Sequence, residues 1–520
     1  MKRMARNRYP IGVQTFEKII QTGSVYVDKT AIVYQLVHQD GAFFFLSRPR
    51  RFGKSLLCST LQAYFEGRRD LFRGLAMERL EQRWEQYPVL RADFSGENYN
   101  GMGALMSKLD YILSRWEDRY GRDTADATPG VRFMGAIRRA YEQTGQKVVV
   151  LIDEYDKPML EALEYGETYD EYQKTMQGFY GALKSSDEYI RFCFLTGISK
   201  FGKLSVFSAL NNIKDFSMRK DYATICGITE QELHQYFEDD IHELAAENGL
   251  TYEEACNQLR DRYDGYHFGA RTPGVYNPFS LLNAFSDRQI RDYWFATGTP
   301  TFLVSLLKRN NFDLEKLDEN ILASESTLWN INATSNIIPA LYQSGYLTLK
   351  DYDADGNVYF LGFPNQEVAN GFRHFLLPYY SGLTEDTQDG ELYRMRQDIR
   401  RGNVESFMER LKAVLASKPM ENARYVELTY RNMLYLVFHL LGFRASVEQP
   451  TSNGRIDLTL ETPDYVFLFE FKLNKDVKQA RRQLVEKHYA DRYATDPRQV
   501  VRIAATFSDE LKNIGEWEVV

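Results

Sequence analysis

The sequence predicts two α/β domains on either side of a largely helical middle, and three observations carry that prediction. A short apolar run, Gly41–Leu46, leads through a basic loop into Gly53-Lys54-Ser55 at the start of a helix. A second apolar, β-branched run, Val148–Ile152, ends on Asp153 and Glu154. Towards the C-terminus, Gly454–Leu460 and Tyr465–Leu473 flank a turn containing Pro463 and read as a hairpin. Short continuous apolar runs bounded by turn formers are the mark of buried strands. Strands alternating with helices over residues 15–215 make a mostly parallel, three-layer domain.

Strand, loop, GK[ST] and helix in that order is the phosphate-binding arrangement of P-loop NTPases. Arg51, Phe52, Gly53, Lys54, Ser55 and Leu56 form the end of the loop and the first helical turn. Backbone N–H groups there point at phosphate, and the helix dipole adds to their pull. Lys54 is expected to reach the β- and γ-phosphates of ATP, and Ser55 to ligate Mg²⁺. One position departs from the pattern G-x-x-x-x-G-K-[ST]. Its first glycine belongs at position 48, where Arg48 stands, followed by Pro49, Arg50 and Arg51. A nest of N–H groups can still form around Arg51–Lys54, with altered turn geometry. The plain alternative is a basic loop that happens to carry GKS.

Val148–Ile152 reads as a parallel strand buried on both faces. An acid at the C-terminal edge of such a strand lies beside the phosphate loop. Asp153 is therefore expected to hold Mg²⁺ and Glu154 to polarise the attacking water, with Asp156 a weaker acidic candidate. Tyr189–Leu195 is a further strand ending at Thr196, whose hydroxyl either senses the γ-phosphate or caps the strand. Pro88–Ser95 is another, ending near Asp93.

Composition narrows the rest. At 520 residues, with 44% hydrophobic and 26% charged content, the chain has the make-up of an ordinary globular protein of several domains. Its four cysteines show no CxxC spacing, so reduced thiols are expected. The basic N-terminus lacks the apolar run of a signal peptide. No stretch approaches the ~18 apolar residues of a membrane helix, so neither a membrane partner nor a location outside the cytoplasm is expected. A net charge of −8 excludes a wholly basic nucleic-acid binder, and any such surface must be local.

After residue 225 the pattern turns helical. Thr229 opens a helix in the capping-box string Thr229-Glu230-Gln231-Glu232. Asp261–Pro278 is rich in Gly, Pro and aromatics and reads as a packed connection, with His267 structural. Residues 333–376 read as helix, hairpin and helix, with the hairpin turn at Asp353–Asn357. That is consistent with a winged-helix module, which either binds DNA or is structural. Ser381–Glu391 is the best linker candidate. A helix over Asn403–Ala416, ended by Ser417-Lys418-Pro419, follows it. The division expected is 1–225, 226–400 and 401–520.

In the C-terminal hairpin, antiparallel pairing brings Asp457 to Glu470 and Lys472, and the latter two share a strand face. Two carboxylates and a lysine can bind Mg²⁺ and orient a water for phosphodiester attack. A salt-bridged hairpin end is the alternative. Between Glu470 and Arg492 lie seven basic residues and four acids, several on one helix with Lys478, Gln479, Arg482, Gln483 and Lys487. A basic helix beside a metal site suits a DNA backbone. Glu427, on the preceding helix, is a further carboxylate candidate.

With these residues in hand, the chain resembles the bacterial AAA-ATPase-like proteins that carry a C-terminal PD-(D/E)XK nuclease-superfamily domain, abundant in gut anaerobes such as Bacteroides. The resemblance rests on Tyr26–Thr30, on Ser47–Leu56 with its string RPRRFGKS, and on Leu151–Pro158. It continues through Thr196–Lys200, Gly345–Thr348, Gly454–Asp457 and Glu470–Lys472. It runs nearly end to end, and that family itself usually carries Arg where the P-loop has its first glycine. It implies an ASCE-type P-loop ATPase and a nuclease fold. Asp457, Glu470 and Lys472 match the superfamily's catalytic pattern, and Gln483 matches its polar helix position. ATP, Mg²⁺ and DNA are the expected ligands, and a homo-oligomer stays open. Three functions follow: an ATP-dependent nuclease, a regulatory ATPase that binds nucleic acid without cutting, or a scaffold with both sites degenerate.

Overall fold

A computed structural model describes residues 8–162, 169–200, 213–297, 337–416, 426–451, 454–508 and 513–520, together with residue 510 and shorter stretches between 303 and 329. The chain gathers into two compact units, Met1–Gly298 with Asn320–Glu367, and Thr299–Glu319 with Val368–Val520. The middle stretch expected over 226–400 is thus shared between them.

In the first unit, β1 (Phe43–Ser47), β2 (Val89–Asp93), β3 (Val148–Asp153), β4 (Ile190–Gly197) and β5 (Lys214–Asp215) form a sheet in the order β2-β3-β4-β1-β5. Every pairing in it is parallel. β1 and β3 are buried along their whole length, which is why both read as unbroken apolar runs. β4 lies between them, so the acidic strand is one strand removed from the phosphate loop. The helix Lys54–Phe65 buries Leu57, Cys58, Thr60, Leu61, Ala63 and Phe65. Leu56 and Tyr64 on the same helix are only half-buried.

Thr229 caps the helix Glu230–Asn248 in a reciprocal box with Glu232, and Thr251 with Glu254 repeats the device at the helix Tyr252–Tyr263. The expected hairpin is present as β7 (Thr348–Asp353) and β8 (Val358–Gly362), and β6 (Ile321–Ala323) joins it in the order β6-β8-β7. The helix before it runs Ile338–Ser344, and its expected start at Ala333 lies outside the described residues. Asp351, Asp353 and Asp355 are exposed towards the hairpin tip.

Glu367, near the start of the helix Gln366–Tyr380, is 1% exposed. One carboxylate oxygen accepts the backbone N–H groups of Tyr293 (2.5 Å) and Trp294 (2.9 Å). Burial outweighs those bonds and pushes the carboxyl up to about 7. The folded state therefore holds the proton more tightly than the unfolded chain does. The stabilisation is complete below the ordinary value of 4.5 and is lost as pH rises through about 7. Glu367→Gln should match the wild type near pH 4 and exceed its stability by up to about 3 kcal/mol at about pH 8. Urea unfolding of both proteins across that range checks the sign.

In the second unit, the expected linker is a correction. Glu385–Arg400 is a helix, and Gln388, Leu392, Met395 and Ile399 are its buried stripe. Its spacing of three and four was masked by the acidic, polar start. The helix Val404–Ala416 buries Val404, Phe407, Met408, Leu411, Val414 and Leu415, and Ser417–Pro419 lie outside the described residues. β9 (Arg444–Thr451), β10 (Gly454–Glu461), β11 (Tyr465–Leu473), β12 (Gln499–Ser508) and β13 (Asn513–Val519) form a mixed sheet in the order β13-β12-β11-β10-β9. β11 and β12 pair in parallel, with the helix Val477–Glu486 in their crossover. Among the described residues, no helix is long and apolar enough to cross a membrane, and all four cysteines are free and buried.

Candidate functional site

Past Ser47 the chain stays in sheet register, and the Arg48 N–H donates to the Gly197 carbonyl at 3.2 Å. The Arg48 side chain is committed to the interior and is 1% exposed. Its guanidinium donates to the carbonyls of Ser47 and Ser217, both at 2.8 Å, and of Tyr222 at 2.9 Å. It also lies 4.1 Å from the centre of the Phe268 ring. Burying a cation costs several kcal/mol, and three charge-assisted bonds at about 1.5–3 kcal/mol each offset it. Burial lowers its pKa to about 10, so it stays charged at neutral pH. Position 48 is an anchor, and this explains an arginine where a glycine is usual.

Left-handed backbone at Arg51 (φ 69°) and Gly53 (φ 92°), on either side of Phe52, builds the turn expected of the nest. Gly53 takes that conformation without the ~1–2 kcal/mol a side chain would add. Lys54 is buried, and its ammonium donates to the carbonyls of Arg48 (2.9 Å) and Pro49 (3.0 Å). Burial pulls its pKa below the ordinary lysine value, opposed by the charges of Asp153, Glu154 and Asp156.

Asp153 is 1% exposed. Its Oδ1 accepts the Glu154 N–H at 3.0 Å, while Oδ2 is buried without a hydrogen-bond partner of good geometry among the described residues. Burial raises its pKa, and the nearby Ser55 hydroxyl draws it back. Asp93 is its register partner on β2 and raises it further. Glu154 stands in the left-handed region at φ 50°, a strained position for a residue with a side chain. Burial raises its carboxyl too, with Lys54 opposing. Thr196 is fully buried, and its hydroxyl donates to the Leu46 carbonyl at 2.7 Å. Of its two expected roles, that bond matches the strand cap.

A cavity of about 110 Å³ opens beside the loop, with Tyr26, Val27, Phe52, Gly53, Leu56 and Cys226 among its mostly apolar walls. Lys29, also on its wall, pairs with Glu232 at 2.6 Å. Residues 225–228 have no local sequence signal for this placement. Tyr26–Lys29 entered the sequence reading only as part of a family string.

In the second unit, Leu458 opposite Phe469 sets Asp457 opposite Glu470. The Asp457 carboxylate accepts the Phe471 N–H at 2.8 Å. Glu470 is fully buried, its Oε1 is 2.5 Å from the Lys472 ammonium, and its Oε2 has no hydrogen-bond partner among the described residues. Burial, and then the charge of Asp457, pushes Glu470 up to about 7, with Lys472 opposing. Gln483 donates to the Tyr489 hydroxyl at 3.1 Å. Burial raises that phenol, and its next strongest charged neighbours are Glu470 and Asp457. Tyr489 is thus a member of the cluster that the sequence reading missed, since an aromatic past a helix end carries no signal of its own. Ala480 and Leu484 bury one face of the helix Val477–Glu486 while Lys478, Arg481 and Arg482 are exposed. The side chain of Glu427 lies outside the described residues.

No three His, Cys, Asp or Glu side chains among the described residues converge as a metal cluster. Mg²⁺ does not need them, because it keeps several waters and takes one or two carboxylates. The residues present fit such an ion at both places. Each offers a hard oxygen, Asp153 Oδ2 or Glu470 Oε2, that is buried and has no hydrogen bond of good geometry among the described residues.

A family model described as "Predicted AAA-ATPase" matches residues 10–207, and one for the PD-(D/E)XK nuclease superfamily matches residues 426–517. The "Uncharacterized protein in vnfD 5'region" of Azotobacter chroococcum mcd 1 is 37% identical over 530 residues, covering 98% of both chains. The chain therefore belongs to the family of AAA-ATPase-like proteins that carry a C-terminal PD-(D/E)XK nuclease-superfamily domain.

Proposed function

We propose that the first unit binds and hydrolyses ATP and that the second is a metal-dependent nuclease acting on DNA. One observation carries the reading. Each unit has a buried carboxylate oxygen, without a hydrogen bond of good geometry among the described residues, near a buried or half-buried lysine at a strand end within the stretch its family model matches. An unpaired buried acceptor costs about 1–3 kcal/mol unless something cationic meets it. Divalent cations, when bound, would neutralise phosphate charge at both places.

At the nucleotide site the loop N–H groups and Lys54 bind the phosphates. Ser55 and Asp153 hold the metal, and the apolar cavity takes the base. The strand inserted between β1 and β3 supports the ASCE reading, and there Glu154 accepts the proton of the attacking water. Glu154→Gln should bind ATP with nearly unchanged affinity and lose at least about a hundredfold in turnover. Phosphate release under single-turnover conditions, beside calorimetry, checks both halves. Hydrolysis at the wild-type rate would remove Glu154 from the role.

At the second site Asp457 and Glu470 hold the metal and Lys472 stabilises charge on the attacked phosphate, while exposed Lys478, Arg481 and Arg482 meet the DNA backbone. No DNA contact is assigned to the β7–β8 hairpin, because its three exposed aspartates would repel phosphate. The close Lys472–Glu470 pair favours a second reading, a regulatory ATPase whose C-terminal unit binds DNA without cutting it.

A further inference from the structure

We propose that Asp156 is a positioning residue of the nucleotide site, holding the phosphate loop in place through the strand-end segment Thr196–Ser199. This rests on the nucleotide-binding reading above.

Asp156 is 1% exposed. Its Oδ2 accepts three donors: the N–H groups of Ile198 (3.0 Å) and Ser199 (2.6 Å), and the Ser199 hydroxyl (2.5 Å). A carboxylate oxygen so occupied is poorly placed to take a proton from water, which sets it apart from Glu154. The segment it holds is bonded in turn to the start of the phosphate loop. Thr196 donates to Leu46, the Arg48 N–H donates to Gly197, and the Ser47 hydroxyl donates to the Ile198 carbonyl at 2.5 Å. Two carbonyls of that loop, those of Arg48 and Pro49, then hold the Lys54 ammonium. Hydrogen bonds and the short backbone steps between them thus link Asp156 to Lys54.

The packing requires this approach. A Cβ on Gly197 would stand 2.2 Å from Asp156 Oδ1 and 2.8 Å from the Tyr155 ring, so only glycine admits the carboxylate. The Tyr155 hydroxyl donates to the Ser199 carbonyl at 2.8 Å, a second tie from the same turn. The loop has an anchored arginine at position 48 in place of a glycine, so its course depends on such outside contacts.

The test uses the full-length protein with Asp156→Asn, Ser199→Ala and the double variant. ATP affinity is read by calorimetry, and backbone protection over residues 48–54 by hydrogen–deuterium exchange without nucleotide. Asp156→Asn should weaken ATP binding about tenfold and lower protection at residues 48–54 as well as at 198–199. Ser199→Ala should give a smaller loss in the same places, and the double variant should bind no more weakly than Asp156→Asn alone. Unchanged protection at residues 48–54 in both single variants, or additive losses of affinity, would overturn the proposal. If Asp156→Asn fails to fold, the exchange pattern of Ser199→Ala decides alone. A wild-type protein that binds no ATP would refute the nucleotide reading, while the exchange data would still decide whether Asp156 holds the loop.

Discussion

Lys54→Ala is expected to weaken ATP binding at least about a hundredfold while leaving the protein folded. A lysine–phosphate hydrogen bond contributes about 1.5–3 kcal/mol, and each 1.4 kcal/mol is about tenfold in affinity. Two such bonds account for the loss. The fold should survive, because among the described residues the Lys54 ammonium bonds the two loop carbonyls of Arg48 and Pro49, while Leu57, Leu61 and Phe65 hold its helix to the sheet. Calorimetry on a variant with an unchanged circular dichroism spectrum checks this. Wild-type affinity there would mean that the phosphates lie elsewhere.

Asp457→Ala and Glu470→Ala should each abolish metal-dependent cleavage and spare most DNA binding. The carboxylates are the metal's hard ligands, whereas the phosphate contacts come from the exposed basic helix. Glu470→Ala also removes a fully buried carboxyl and strands Lys472, so its folding must be checked first. Metal binding displaces the proton that Glu470 holds up to about pH 7, so metal affinity should fall as pH drops below that value. Charge reversal at Lys478 and Arg482 should do the opposite of the carboxylate variants, weakening DNA binding and flattening its salt dependence. Titrations at two salt concentrations separate the two classes. Equal loss of binding in both would contradict the division of roles.

The elements that could be read from the sequence are those whose burial is simple. β1, β3 and β11 are apolar along most of their length, β10 alternates apolar Ile456, Leu458 and Leu460 with polar residues, and the Thr229 and Lys54 helices open with local chemistry that does not depend on the rest of the fold. The hairpin register placed Asp457 opposite Glu470 because two-residue periodicity and a short turn leave little choice. What escaped was set by distant partners. The cavity beside the loop is walled by residues 10–33, 52–60, 225–237 and 278–282, which no window of sequence connects. The polar start of Glu385–Arg400 concealed a stripe whose partners lie elsewhere in the chain. Arg48 looked like a defect in a motif because its three carbonyl acceptors, at 47, 217 and 222, meet only in the folded chain.

The most direct measurement is a cleavage assay on plasmid, linear and single-stranded DNA, with and without ATP, over a series of Mg²⁺ and Mn²⁺ concentrations. Cleavage that requires the divalent ion, responds to ATP in the wild type but not in Lys54→Ala, and vanishes in folded Glu470→Ala is the expected result. No cleavage of any substrate by wild-type protein that binds both ATP and DNA would contradict the nuclease reading and leave the ATP-dependent binding switch in its place.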